Sequence, residues 1–157
     1  MYGNEAEVGA AVRASGLPRE AVFVTTKIWP DDFARADLEA AIERSLDRLK
    51  LGWIDLLLLH WPNPKVPLKE SLAVLDAAKA AGMVKHLGVS NFPAALLEEA
   101  VRTARAPIVT DQVEYHPFLP QAALLAATRR HGMALTAYCP LARGRVVEDP
   151  VIGEIAA

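Results

Sequence analysis

The chain is poor in cysteine, aromatics and net charge. Cys139 stands alone among 157 residues. No internal disulfide is available, and a reducing compartment, the cytoplasm, is the expected location. Lys and Arg number 17 against 19 Asp and Glu, a formal net charge of -2. That near-balance offers no basic surface to nucleic acid or to an anionic membrane. No apolar run nears the roughly 20 residues of a spanning helix. The opening MYGNEAEVG lacks the basic-then-apolar order of a signal peptide. No GxGxxG follows a strand pattern, which argues against a Rossmann dinucleotide site. No His, Cys, Asp and Glu residues stand at metal-ligand spacing, so no metal is expected. Low-complexity stretches and linkers are missing too, and residues 1–157 read as one domain.

What is present is a 52% hydrophobic chain with one stretch at its centre, IDLLLLHWP (54–62). The run from Ile54 to Leu59 is apolar except for Asp55, with Gly52 before it and Pro62 after. So short a run reads as a strand buried on both faces, as in parallel sheets covered by helices. His60 sits at its carboxyl end.

The same unit repeats along the chain. A helix is expected over 4–15, stopped by Gly16 and Pro18, then a strand from Val22 to Thr26 that ends in Lys27. Leu38, Ala41, Ile42, Leu46 and Leu49 stripe one face of a helix over 35–49, which Gly52 should close. Strands follow at 54–59, 84–89, 108–113 and 134–138, with helices at 68–81, 94–104 and 121–131 between them. Residues 145–157 read as a loop and a barely begun helix. Regular alternation of this kind implies βαβ crossovers and a parallel sheet.

The carboxyl ends of the five strands carry Lys27, His60, Ser90 with Asn91, Gln112 and Tyr138. Taken singly, each has a bland reading. Asn91 ahead of Pro93 suits a helix cap, and Gln112 suits loop backbone. Hydrogen-bonding groups delivered to one end by all five strands point instead to the active-site face of a barrel enzyme. His86 lies inside a strand, on the side away from that mouth, and is read as structural.

These residues resemble the aldo-keto reductases, in particular the prokaryotic, diketogluconate-reductase-like branch. YGNEAEVG (2–9) is similar to the family's catalytic-tyrosine segment, VTTKIW (24–29) to its lysine strand, and LLLHWP (57–62) to its histidine strand. LGVSNF (87–92), DQVEYHP (111–117) and YCPLARG (138–144) resemble its cofactor-contact segments. Asp111 and Cys139 depart mildly, standing where Asn and Ser are common.

The resemblance implies a (β/α)8 barrel using NADPH for the reversible reduction of aldehydes, ketones or keto sugars. Tyr2 would then be the general acid, the Lys27 ammonium would favour its phenolate, and His60 would orient and polarise the carbonyl. Ser90, Asn91 and Gln112 would hold the nicotinamide carboxamide, with Tyr138 stacked on its ring. Leu141 and Gly144 would lie along the pyrophosphate, and Trp29 and Trp61 would wall a pocket for a small carbonyl substrate. Such a barrel takes about 250 residues. The expectation is therefore an incomplete one, strands three to seven, truncated at both ends. The family's catalytic aspartate, five residues before the tyrosine, would fall before Met1. Nothing obvious would then fix the Tyr2 ring near Lys27, and the acid that would orient Lys27 would be missing. The full-length parent is expected to be a monomer, while exposed edges near 22–26 and 134–138 invite this chain to self-associate. Two rival readings are a non-catalytic cofactor-binding or regulatory member of the same fold, and an inactive fragment. A Schiff-base aldolase using Lys27 is a more distant third.

Overall fold

The computed structural model describes residues 2–156. Five strands form one parallel sheet in chain order: β1 (Thr25–Ile28), β2 (Ile54–Leu59), β3 (Val84–Ser90), β4 (Ile108–Glu114) and β5 (Ala134–Tyr138). The helices α1 (Glu5–Ala14), α2 (Arg35–Leu49), α3 (Leu68–Ala80), α4 (Ala94–Thr103), α5 (Ala122–Arg130) and α6 (Pro150–Ala156) complete the set.

Alternation along the strands divides the sheet into two chemically distinct faces. Leu57, Leu59, Leu87, Val89 and Val113 point to the helices and join Leu38, Ile42, Leu72, Leu75, Leu97 and Ala127 in a buried core. Side-chain burial of that kind contributes roughly 1.5–3 kcal/mol per large residue and dominates the stability of the fold. The other face carries Lys27 beside Leu58, Leu58 beside Gly88, Ser90 beside Gln112, and Glu114 beside Tyr138. Gly88 lets the strands close up there. A Cβ on it would stand 2.5 Å from the Leu58 side chain and 2.9 Å from that of Thr110.

The structure corrects several details. The first strand begins at Thr25 rather than Val22. Arg19–Ala21 form a 3-10 turn, the Arg19 guanidinium donates to the Val22 carbonyl, and the Asp55 carboxylate accepts the Val24 N–H. Side chains thus occupy backbone groups that a longer ladder would use. Helix α2 is closed by Lys50 in the left-handed conformation (φ 52°), with Gly52 (φ 84°) two residues further on. Asn91 does not cap α4, whose N-cap is Pro93 with no side-chain bond. His86 does lie at the far end of β3 from Ser90, but by alternation it shares that residue's face, where its ring stacks on Phe23. Beyond β5 the chain makes a 3-10 turn (Ala142–Gly144) and then a formed helix, α6. No helix among the described residues is long and apolar enough to cross a membrane.

Candidate functional site

Register places the polar residues. Lys27 is the third residue of β1, and His60 follows β2, its N–H bonded to the Ile28 carbonyl. Both therefore emerge at the carboxyl edge of the sheet. The His60 ring is 5% exposed, meets the Trp29 indole edge-on at 5.1 Å, and leaves Nδ1 buried without a partner among the described residues. Burial first, and then the charge on Lys27, push its pKa down to about 4. At neutral pH the imidazole is therefore uncharged, able to donate one hydrogen bond but not to act as a cation.

Lys27 donates from Nζ to the Gln112 Oε1 at 2.9 Å, reaching past β2 and β3. No carboxylate pairs with it among the described residues. Its pKa lies below the ordinary lysine value because burial penalises the ammonium. In place of an acid, a neutral amide holds Lys27. Tyr2 is also closer than expected. Its ring centroid lies 5.4 Å from the Lys27 Nζ and 5.9 Å from the His60 ring, although the residue is 65% exposed.

A second group of contacts surrounds Asn91, which holds a left-handed backbone (φ 62°). Its Nδ2 donates to the His60 carbonyl at 3.0 Å and to the Ser90 Oγ at 3.1 Å. Its Oδ1 accepts the Tyr138 hydroxyl at 2.8 Å. Ser90 in turn donates to the Gln112 carbonyl at 2.6 Å. The ends of four strands, β2 to β5, are tied together in this way. Burial, with the charge of Glu114 second, raises the Tyr138 pKa above the ordinary value.

The remaining predicted residues lie outside these bonds. Trp29 reaches the cluster through its ring contact with His60 and lines one cavity with Tyr2 and Lys27. Trp61, 43% exposed, lines a shallow groove with Asn91, Val113 and Tyr138. Leu141 is exposed, and Gly144 holds φ 93° in the turn beyond β5. Two residues now adjoin the cluster that sequence reasoning gave no role. Glu5 binds Thr26, the neighbour of Lys27. Asp111, the neighbour of Gln112, is fully buried; among the described residues its Oδ2 has no partner and its Oδ1 meets the Phe92 N–H at 3.5 Å. Thr26 is polar at a helix-facing position, a signal that could have been followed. Among the described residues no three His, Cys, Asp or Glu side chains gather as a metal site would require.

Known proteins share both the sequence and the fold of this chain. The Aldo/keto reductase family matches residues 1–154. Methylglyoxal reductase DkgB of Escherichia coli O157:H7 is 38% identical over 160 residues, covering 100% of this chain and 60% of that protein. A solved structure with the provisional name 2,5-diketo-D-gluconic acid reductase B superposes with a TM-score of 0.95 at 49% identity. The match covers 98% of this chain and 55% of that one. Bombyx mori aldo-keto reductase, solved in complex with NADP, gives a TM-score of 0.80 at 33% identity, covering 88% of this chain and 49% of its own. The chain thus spans about half to three-fifths of the length of these proteins. Those structures are (β/α)8 barrels, of which the sheet described here is an incomplete set of strands. With its fold laid over theirs and its sequence matched almost from end to end, the chain belongs to the aldo/keto reductase family.

Proposed function

We propose that this chain serves the NADPH-dependent reduction of small carbonyl compounds, with Tyr2 as the general acid. The observation that carries the reading is the convergence of Tyr2, Lys27, His60 and Gln112 at the carboxyl end of one parallel sheet. The relatives named as methylglyoxal reductases, and the relative solved with NADP, support the substrate class and the cofactor.

The hydrogen-bonding capacity left over at the site suits a nicotinamide carboxamide. Both Asn91 Nδ2 hydrogens are used, but Asn91 Oδ1 and Ser90 Oγ each keep one free lone pair. The Gln112 amide donates to no described group, so its two hydrogens are available. Two acceptors and a double donor match the NH2 and C=O of an amide. Tyr138, held by its hydroxyl, offers the ring face beside them. When bound, the cofactor supplies the hydride.

The chain's own residues handle the proton. Tyr2 donates from its hydroxyl to the carbonyl oxygen of the substrate. The Lys27 ammonium favours the phenolate that remains. Neutral His60 donates to the same oxygen, which fixes the carbonyl without moving a second proton. Trp29, packed against His60, restricts that ring and excludes water from one side of it. A second reading, cofactor binding without turnover, is favoured by the exposure of Tyr2.

One titration separates the two. NADPH binding is followed by fluorescence, and aldehyde-dependent NADPH oxidation is recorded in the same sample. Turnover that falls about 10²–10⁴-fold in Tyr2→Phe is the expected result. Binding with no turnover in either protein favours the second reading. A folded chain that binds no NADPH overturns both.

A further inference from the structure

We propose that Glu5 and Thr26 are positioning residues that hold the Tyr2 phenol against the Lys27 ammonium. The inference rests on the reductase reading only for what Tyr2 does, not for where it is held. Tyr2 precedes α1, and Gly3 (φ 68°) turns the chain between them, where a Cβ would meet nothing within 4 Å. Asn4, at the N-cap, makes no side-chain capping bond. The next side chain is Glu5, 18% exposed, whose Oε1 accepts the Thr26 hydroxyl at 2.7 Å. Thr26 is bonded covalently to Lys27. Tyr2, Gly3, Asn4, Glu5, Thr26 and Lys27 therefore form a small ring. One of its closures is the Glu5–Thr26 hydrogen bond, and the other is the approach of Nζ to the tyrosine ring at 5.4 Å. Because strand residues alternate, Thr26 faces α1 while Lys27 faces the site. A bond behind the sheet thus sets a distance in front of it.

The second contact to Glu5, from the Arg48 guanidinium at 3.5 Å, is long, and Arg48 is 58% exposed, so it contributes little. Nor does α1 depend on Glu5 for its docking. Gly9 sits directly on the Leu49 carbonyl, and Arg13 donates to the same carbonyl at 2.6 Å. Loss of the Glu5–Thr26 bond should therefore free Tyr2 while leaving α1 in place.

The test uses the ring resonances of Tyr2 in protein carrying 13C-labelled tyrosine, assigned among the three tyrosines with Tyr2→Phe. In the wild-type background, Lys27→Met should shift the Tyr2 signal. In Thr26→Val or Glu5→Ala the same substitution should leave it unmoved, because the two groups no longer meet. Thr26→Ser keeps the hydroxyl, and Glu5→Gln keeps an acceptor, so both should restore the response. Melting temperatures of Thr26→Val and wild type should lie close together, since α1 stays docked. An equal Tyr2 shift in all backgrounds overturns the proposal, as does no shift in wild type. Aldehyde turnover is recorded alongside. If the chain reduces carbonyls, Thr26→Val should lower kcat by up to about 10²-fold with the KM for NADPH unchanged. Absence of turnover together with the expected resonance pattern counts against the reductase reading and leaves the positioning inference standing.

Discussion

Asn91 does three jobs with one side chain. It holds the carbonyl of His60, orders the Ser90 hydroxyl and accepts the Tyr138 hydroxyl. It does so from a left-handed backbone, which costs a residue bearing a Cβ roughly 1–2 kcal/mol relative to glycine. Asn tolerates this conformation better than most residues, so backbone and side chain select the same amino acid. Substitution separates the two terms. Asn91→Ala should lose about 2–3 kcal/mol, because the His60 carbonyl and Tyr138 hydroxyl lose their partners and the strain remains. Asn91→Gly loses the same bonds but relieves the backbone, and should be more stable than Asn91→Ala by about 1 kcal/mol. Urea denaturation of the three proteins measures both differences, and equal stability of the two variants would refute the backbone part. The importance of Asn91 could be read from its place at a strand end. Its spacing from Pro93 also suits a helix cap, and the sequence does not reveal that the side chain turns back toward β2.

Elements were more legible than their joints. The apolar stripe of α2 reappears as buried Leu38, Ala41, Ile42 and Leu49, and β2 spans Ile54–Leu59 as its apolar run implied. Both patterns arise from burial on a regular period, which a sequence carries openly. The start of β1 is not legible: Val22 and Val24 have strand propensity, yet the nearby Arg19 claims the Val22 carbonyl and Asp55, distant in sequence, the Val24 N–H. Packing of α1 on α2 was equally hidden. Gly9 falls in the middle of a helix, where glycine is normally unfavourable by roughly 0.5–1 kcal/mol relative to alanine. In the fold, a Cβ at that position would stand 2.0 Å from the Leu49 carbonyl oxygen. Gly9→Ala should therefore destabilise the chain by about 2 kcal/mol or more despite its better helix propensity, because the obstacle is backbone that cannot rotate away. A chemical denaturation midpoint at or above that of wild type would show that α1 does not dock there.

Across the whole molecule, two buried groups carry opposite pH dependences. His60 is held to about 4 from an ordinary 6.5 by burial and by Lys27. An unfolded chain takes up that proton as pH falls through 6.5, whereas the folded chain resists until about 4. The contribution of His60 to stability is thus present above 6.5 and lost as pH falls toward 4. Asp111 is raised from 3.8 to about 7 by burial, against which the Phe92 N–H gives one weak bond. The folded chain keeps this proton while the unfolded chain releases it, so the contribution of Asp111 is present below 3.8 and lost as pH rises toward 7. Between about pH 4 and 6.5 the two slopes therefore oppose each other, and the wild-type stability contributed by this pair should change little. Asp111→Asn keeps the shape and removes the titration. Its stability should rise with pH across that window, following His60 alone. His60→Gln should show the reverse, a fall with rising pH that follows Asp111. Thermal melts of the three proteins across this window distinguish the cases. An Asp111→Asn profile parallel to wild type would mean that the Asp111 carboxyl ionises in the folded chain as it does in the unfolded one.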